Sequence, residues 1–179
     1  YQISTWQNLY WLSQNSAEWN KYYIQTANID FADASPAINT WDTNKGWTPI
    51  GNSTTKFTGT YNGNSKTISG LYINRVANSQ GFFGGTNGGS ISNLGLLSIN
   101  INAGGGNVVG GLVSETNNTT ISNCYSTGTV VGNQFVGGLI GSYNLGSVSS
   151  SYSSCNVTGY SAGAGFVGLS TGLVQNCYS

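Results

Sequence analysis

The chain has 179 residues with five Lys plus Arg, five Asp plus Glu and no His, for a formal net charge of zero. Gly, Ser, Asn and Thr make up 92 of the 179 residues, yet 38% of the chain is hydrophobic. So few cations exclude nucleic acid as a partner, because phosphates demand Lys and Arg. No apolar run approaches the ~18 residues of a membrane span, and the hydrophobic content is too high and the net charge too low for a disordered chain. The length suits one domain with a sizeable core. Position 1 is Tyr rather than Met and no leader pattern is present, as expected of a processed chain or a piece of a longer one.

The first 60 residues carry all five Trp, at positions 6, 11, 19, 41 and 47. Ser4 followed by Gln7 reads as a capping box, and Trp6, Leu9, Tyr10 and Ser13 share one helical face, so a helix is expected over about residues 5–15. Strand-like stretches follow at 22–26 and 28–31, and then a loop rich in Asp, Pro and Trp runs to Pro49. Residues 1–56 are therefore read as a cap, formed by the helix and a first irregular coil. Such a cap protects the unpaired strand edges and apolar interior at the end of a solenoid.

From residue 57 onward the chain repeats. One anchor reads ISGL at 68–71, ISNL at 91–94, ISNC at 121–124, VSSS at 148–151 and VQNC at 174–177, at spacings of 23, 30, 27 and 26 residues. A second reads FFGG at 82–85, VVGGLV at 108–113, FVGGLI at 135–140 and FVGLS at 166–170. A weaker third strand follows as LSINI at 97–101, TGTVV at 127–131 and SCNVT at 154–158. A period of this length with three strands separated by Gly, Asn and Ser turns is the pattern of a β-helix, whose coils bury one another's apolar faces. An antiparallel sandwich also uses short strands and Gly turns, but it does not require the same tetrapeptide at one place in every period. The expected fold is all-β: a parallel β-helix with three strands per coil over 57–179, forming one continuous domain behind the cap. Ile68, Ile91, Ile121, Val148 and Val174 are expected in one interior column, and Phe82, Val108, Phe135 and Phe166 in a second.

The runs VGGLV at 109–113, VGGLIG at 136–141 and ISNCYSTGTV at 121–130 resemble the GLUG-motif repeats of bacterial surface proteins, found in adhesins and beside some immunoglobulin-cleaving peptidases. FTGTYNGNSKTISGL at 57–71 and WTPIG at 47–51 extend the resemblance over most of the chain from Asn28 onward. The resemblance implies a right-handed parallel β-helix on an exported, extracellular or cell-surface protein, and it carries over no catalytic residue. The last copy departs from the pattern, since FVGLS lacks the second Gly.

Charge placement bears on activity. From Val76 to Ser179 the only carboxylate is Glu115, and there is no Lys, Arg or His. Glycoside hydrolysis needs two carboxylates flanking the bond, and lyase chemistry needs a base together with cationic or metal stabilisation of the developing charge. The coils supply neither set, so the chain is read as non-enzymatic, with no catalytic residue and no cofactor. Ice binding favours regular Thr-x-Thr rows, and only 58–60 and 127–129 fit.

Several residue sets remain as candidates. Asp30, Asp33 and Asp42 are the clustered carboxylates; turn and cap roles account for them more simply than calcium, and no metal site is assigned. Trp41 and Trp47 flank a loop, where they either stack on a sugar ring or pack the cap onto the first coil. Asn93, Asn123 and Asn176 share a slot filled by Gly70 and Ser150 elsewhere, as a stacked ladder or a repeated left-handed turn. Tyr125, Tyr152 and Tyr178 share the slot two residues further on. Cys124 and Cys177 occupy one slot two coils apart, roughly 9.6 Å, beyond the ~7 Å reach of a disulfide. Asn52, Asn117, Asn118 and Asn156 head glycosylation sequons. The expected partners are copies of the chain stacked head to tail, or neighbouring repeats of a longer chain, with glycans in addition. A non-enzymatic surface rod or fibre is the first reading, and a monomeric adhesin module for glycan or protein is the alternative.

Overall fold

The structure is a computed structural model that describes all residues from Tyr1 to Ser179. Every paired strand runs parallel to its partner, with one coil stacked on the next, so the fold is a parallel β-helix. A representative coil has strands Val108–Gly110, Val113–Ser122 and Tyr125–Gly132. The coil after it has Phe135–Gly137, Ile140–Ser149 and Tyr152–Gly159. The long middle strand bends at Asn118 and Leu145, which occupy one slot between the paired positions Asn117↔Asn144 and Thr119↔Gly146. Both bend residues have positive φ, 49° and 56°.

The coils start earlier than residue 57. Strand Tyr22–Gln25 pairs with Thr60–Ser69, Ile29–Asp30 pairs with its far end, and Gln2–Ile3 pairs with Tyr22–Gln25. The cap and the solenoid are therefore one body with one core. The helix spans Trp6–Gln14 and is capped by Thr5, whose side chain accepts from Asn8 N while Asn8 Oδ1 accepts from Thr5 N. The expected Ser4–Gln7 box is displaced by one residue, because Asn8 reaches back as Gln would but over a shorter arm. Leu9, Leu12 and Ser13 face the core.

Register corrects both expected columns. Ile91, Ile121, Val148 and Val174 do stack, but below them come Tyr61 and Tyr23, not Ile68. Ile68 pairs with Leu96, at the start of the next face. The two faces are joined in this coil by an expanded corner at residues 63–65, which slides ISGL relative to ISNL. Hence the anomalous 23-residue spacing. The second column also divides. Val108 pairs with Phe135 and then Ala162, all short of full burial, whereas Val109 and Val136 point inward and are buried. Phe82 and Phe166 instead fall in line with Leu112 and Leu139, through Phe82 N to Gly111 O, Leu112 N to Leu139 O and Leu139 N to Phe166 O. The counterpart of FVGG at 135–138 in the last coil is AGAG at 162–165; FVG at 166–168 is a look-alike displaced by four residues.

The core tapers along the axis. Near the cap it is aromatic, with Tyr23, Phe31, Trp47, Phe57, Tyr61, Phe82 and Phe83 fully buried. Farther on, one interior column reads Ile68, Leu96, Ser126, Ser153. These buried serine hydroxyls are tolerable because they bond backbone: Ser126 Oγ donates to Gly138 O at 2.8 Å, Ser114 Oγ to Val108 O at 2.6 Å and Ser151 Oγ to Ser149 O at 2.8 Å. Serine fills the coil in this way, whereas Thr116 Oγ1, Tyr143 Oη and Gln80 Oε1 are buried without a hydrogen-bond partner.

Candidate functional site: an aromatic groove on the cap

The helix Trp6–Gln14 buries Leu9, Leu12 and Ser13 and turns Gln7, Tyr10 and Trp11 outward, with Trp6 half-buried against the core. Opposite lies the loop 35–48, whose 3-10 turn Ile38–Thr40 delivers Trp41 against the helix. The Trp41 ring centroid is 5.1 Å from Tyr10, 5.5 Å from Trp6 and 5.8 Å from buried Phe31, and its Nε1 donates to Pro36 O at 2.7 Å. Between helix and loop runs a groove of about 530 Å³ lined by Trp6, Gln7, Tyr10, Pro36, Thr40, Trp41 and Asp42. A 260 Å³ extension shares Tyr10, Trp41 and Asp42 and reaches Thr48.

Arg75 holds the loop in place. Its guanidinium donates to Asp42 Oδ2 and to the carbonyls of Gly46 and Trp47 and the hydroxyl of Thr48, each of the last three at 3.0 Å. The Arg75 hydrogen bond and charge lower the Asp42 carboxyl from its ordinary value. Asp42, Thr43 and Asn44 all have positive φ (44°, 54° and 67°), a run that side-chain-bearing residues adopt only when their surroundings enforce it. The sequence signals for this site were the Trp cluster and the isolated Arg75; no motif announced that Tyr10 and Trp41 would meet.

The other candidates lie elsewhere. Trp47 is fully buried, stacked on Phe82 at 5.4 Å with a 9° interplanar angle, and its Nε1 donates to Phe82 O. It packs the core and offers no face to a ligand, which corrects its pairing with Trp41. Glu115 forms an ion pair with Lys56 and accepts from Ser79 Oγ at 3.3 Å, so the solitary carboxylate of the coils is engaged with its own fold. Asp30 Oδ1 caps a 3-10 turn at Ala32 N, and no group of three or more His, Cys, Asp or Glu comes together.

Asn93, Asn123, Ser150 and Asn176 form a left-handed corner, with φ between 48° and 55°. Asn123 Nδ2 donates to Asn93 Oδ1 and Asn93 Nδ2 to Asn62 Oδ1, both at 3.1 Å. Gly70 belongs to a different corner, beside Ser98, through Gly70 N to Leu97 O. Tyr125, Tyr152 and Tyr178 stack at 5.0 Å with interplanar angles of 2° and 3°. Cys124 is buried, which pushes its thiol up to about 12; it aligns with Ser151 and then Cys177, while Cys155 pairs with Gly128. The three cysteines are free. Asn52, Asn117, Asn118 and Asn156 are all exposed, although Asn117 Nδ2 is bonded to Asn87 Oδ1 at 3.2 Å.

No protein-family profile matches the chain. It is 39% identical over 139 residues to Halomucin of Haloquadratum walsbyi; the match covers 74% of this chain and 2% of that protein's length. Among solved structures it is similar to a crystal structure from Bacteroides ovatus named a putative immunoglobulin A1 protease, with a TM-score of 0.72 and 18% identity. That likeness covers 99% of this chain and 56% of the other, and it is a likeness of fold. No helix is long and apolar enough to cross a membrane.

Proposed function

We propose that this chain is a non-enzymatic rod module of an extracellular surface protein, extended by stacking one coil on the next. The carrying observation is the edge presented by residues 160–179. Leu169, Leu173, Val174 and Tyr178 are 40%, 53%, 41% and 66% exposed. They sit directly over Ser142, Ser147, Val148 and Tyr152 in the ladder. This edge repeats the column pattern that every internal coil uses to receive its neighbour, so one more parallel coil fits it without any new geometry. Further repeats of a longer chain or the cap end of a second copy supply that coil; open head-to-tail contacts of the latter kind build filaments. Similarity to a stretch of Halomucin supports a surface setting, and the runs at 109–113, 121–130 and 136–141 support GLUG-type repeats. Engagement of Glu115 by Lys56 supports the absence of catalysis. The exposed sequons, and a surface short of charge, support glycan attachment as a source of solubility.

The test is electron microscopy and light scattering of the purified chain, beside a version with a polar capping coil appended after Ser179. End-to-end rods that vanish on capping support stacking through this edge. Equal assembly of both proteins refutes it. The adhesin reading draws on a separate observation, the groove at the opposite end.

A further inference from the structure

We infer that the groove between the helix and the 35–48 loop is a carbohydrate site that takes a neutral hexopyranose, with the C–H face of the ring laid on Tyr10 beside the uncovered strip of Trp41. The site uses residues of the cap alone and belongs to the adhesin reading.

Aromatic side chains on the cap have two fates. Trp47, Phe31 and Tyr23 are fully buried and complete the core, and Trp41 joins them at 9% exposure, showing only a strip of its ring to the groove. Tyr10, by contrast, is 45% exposed on a helix whose opposite face is buried, and Trp6 is half-buried beside it. Both lean on Trp41 from the groove side, so the three rings form the floor and wall of an open cleft. Its 530 Å³ lies within the ~300–1,000 Å³ range of small-molecule sites.

The polar groups at the rim decide the occupant. Asp42 Oδ2 is taken by Arg75, but Oδ1 accepts nothing from the protein. The Gln7 amide makes no hydrogen bond to the protein, and Thr40 Oγ1, donating to Ala37 O at 2.7 Å, keeps its lone pairs. The Trp41 N–H is already spent on Pro36 O. The groove therefore offers acceptors at Asp42, Thr40 and Gln7, and a donor in the Gln7 amide, beside apolar faces, and it calls for a ligand with an apolar face and several donors. Sugar hydroxyls are such donors, and one directed at the Asp42 carboxylate makes a charge-assisted bond. A proline-rich peptide, the other common guest of aromatic grooves, has no N–H at its prolines to give. Arg75 neutralises Asp42 without consuming it, which favours a neutral ring over an acidic one. The left-handed run at 42–44 aims the carboxylate while Arg75 locks it, so the site is set before the ligand arrives.

The experiment is saturation-transfer NMR and calorimetry on the intact chain with methyl β-D-galactopyranoside, methyl β-D-glucopyranoside and a polyproline decapeptide. Saturable binding of at least one hexoside is expected, with a Kd of about 1–10 mM. Tyr10→Ala should weaken it about tenfold or more, and Gln7→Ala about threefold, the loss of one hydrogen bond. Tyr10 is exposed, so its melting temperature should stay near that of the parent, which separates lost binding from lost folding. Trp11→Ala, on the helix but outside the groove, should bind as the parent does. No saturation by either hexoside up to about ten times that Kd, hexoside binding that survives Tyr10→Ala, or binding of the peptide alone would each overturn the assignment.

Discussion

Replacement of Gly95 with Ala tests the tyrosine stack and the register together. Gly95 pairs with Tyr125 in the ladder, and a Cβ added there would lie 2.3 Å from Tyr125 Cζ, 2.5 Å from Oη and 2.7 Å from Cε1. Carbon contacts are normally about 3.5–4.0 Å, so the ring must move. It cannot retreat along the column, because Tyr152 lies flat against it at 5.0 Å. Tilting out toward solvent sacrifices the stacked pair, about 0.5–1.5 kcal/mol, and forcing the contact costs about 1–3 kcal/mol. The backbone at Gly95 is not left-handed, so Ala gains about 0.4–1 kcal/mol from a less flexible unfolded chain. The net expectation is a loss of about 1–2 kcal/mol, or a fall in melting temperature of about 2–8 °C for a chain of this size. Thermal denaturation followed by circular dichroism reads it. A double-mutant cycle carries the decisive comparison: in a Tyr125→Ala background, Gly95→Ala should be neutral or stabilising by up to about 1 kcal/mol. Equal destabilisation in both backgrounds would refute the argument, since the ring would not be what Gly95 accommodates.

Other outcomes follow from the same coordinates. Leu145 is 57% exposed with φ 56°, in the slot where the neighbouring coil has Asn118, so Leu145→Asn should relieve left-handed strain and stabilise by about 0.5–1 kcal/mol in urea titration. Ile121 is fully buried between Ile91 and Val148, and Ile121→Asp would place an unpaired charge in the core; the variant should be unfolded by circular dichroism, and a folded, soluble one would break the column assignment. With no His, stability should be flat between about pH 5 and 8. Burial raises Cys124 from 9.0 and Tyr23 and Tyr143 from 10.0 to about 12. Groups with raised folded values contribute stability that is whole below their unfolded values and is lost as pH climbs toward the folded ones. Denaturant midpoints should therefore decline from about pH 9 to 12, each such group steepening the slope by up to about 1.4 kcal/mol per unit.

Periodicity alone was enough to read the architecture. Repeated tetrapeptides with Gly and Asn between them admit few arrangements other than stacked parallel coils, because one coil has no second face against which to bury its Ile and Val. The slot shared by Cys124, Ser151 and Cys177, and the one shared by the three tyrosines, were legible because coils 26 and 27 residues apart repeat without insertion. Register failed where coils change size. Ile68 looks like a member of the Ile91 column by its motif, yet the wide corner at 63–65 gives that place to Tyr61. Phe166 imitates Phe135 in sequence while hydrogen bonding puts it beside Leu139. A motif records residue types; which residues stack is set by how much chain each corner consumes, and that depends on contacts with the coils above and below. The cap is the extreme case. Its Trp residues were visible at once, but Trp41 and Trp47 could not be distinguished, as both flank one loop. The fold buries Trp47 fully on Phe82 and packs Trp41, 9% exposed, against Tyr10 at the groove, because Arg75, 28 residues beyond Trp47, ties the intervening turn into a left-handed bend. A short-range pattern cannot anticipate a clamp supplied by the next coil.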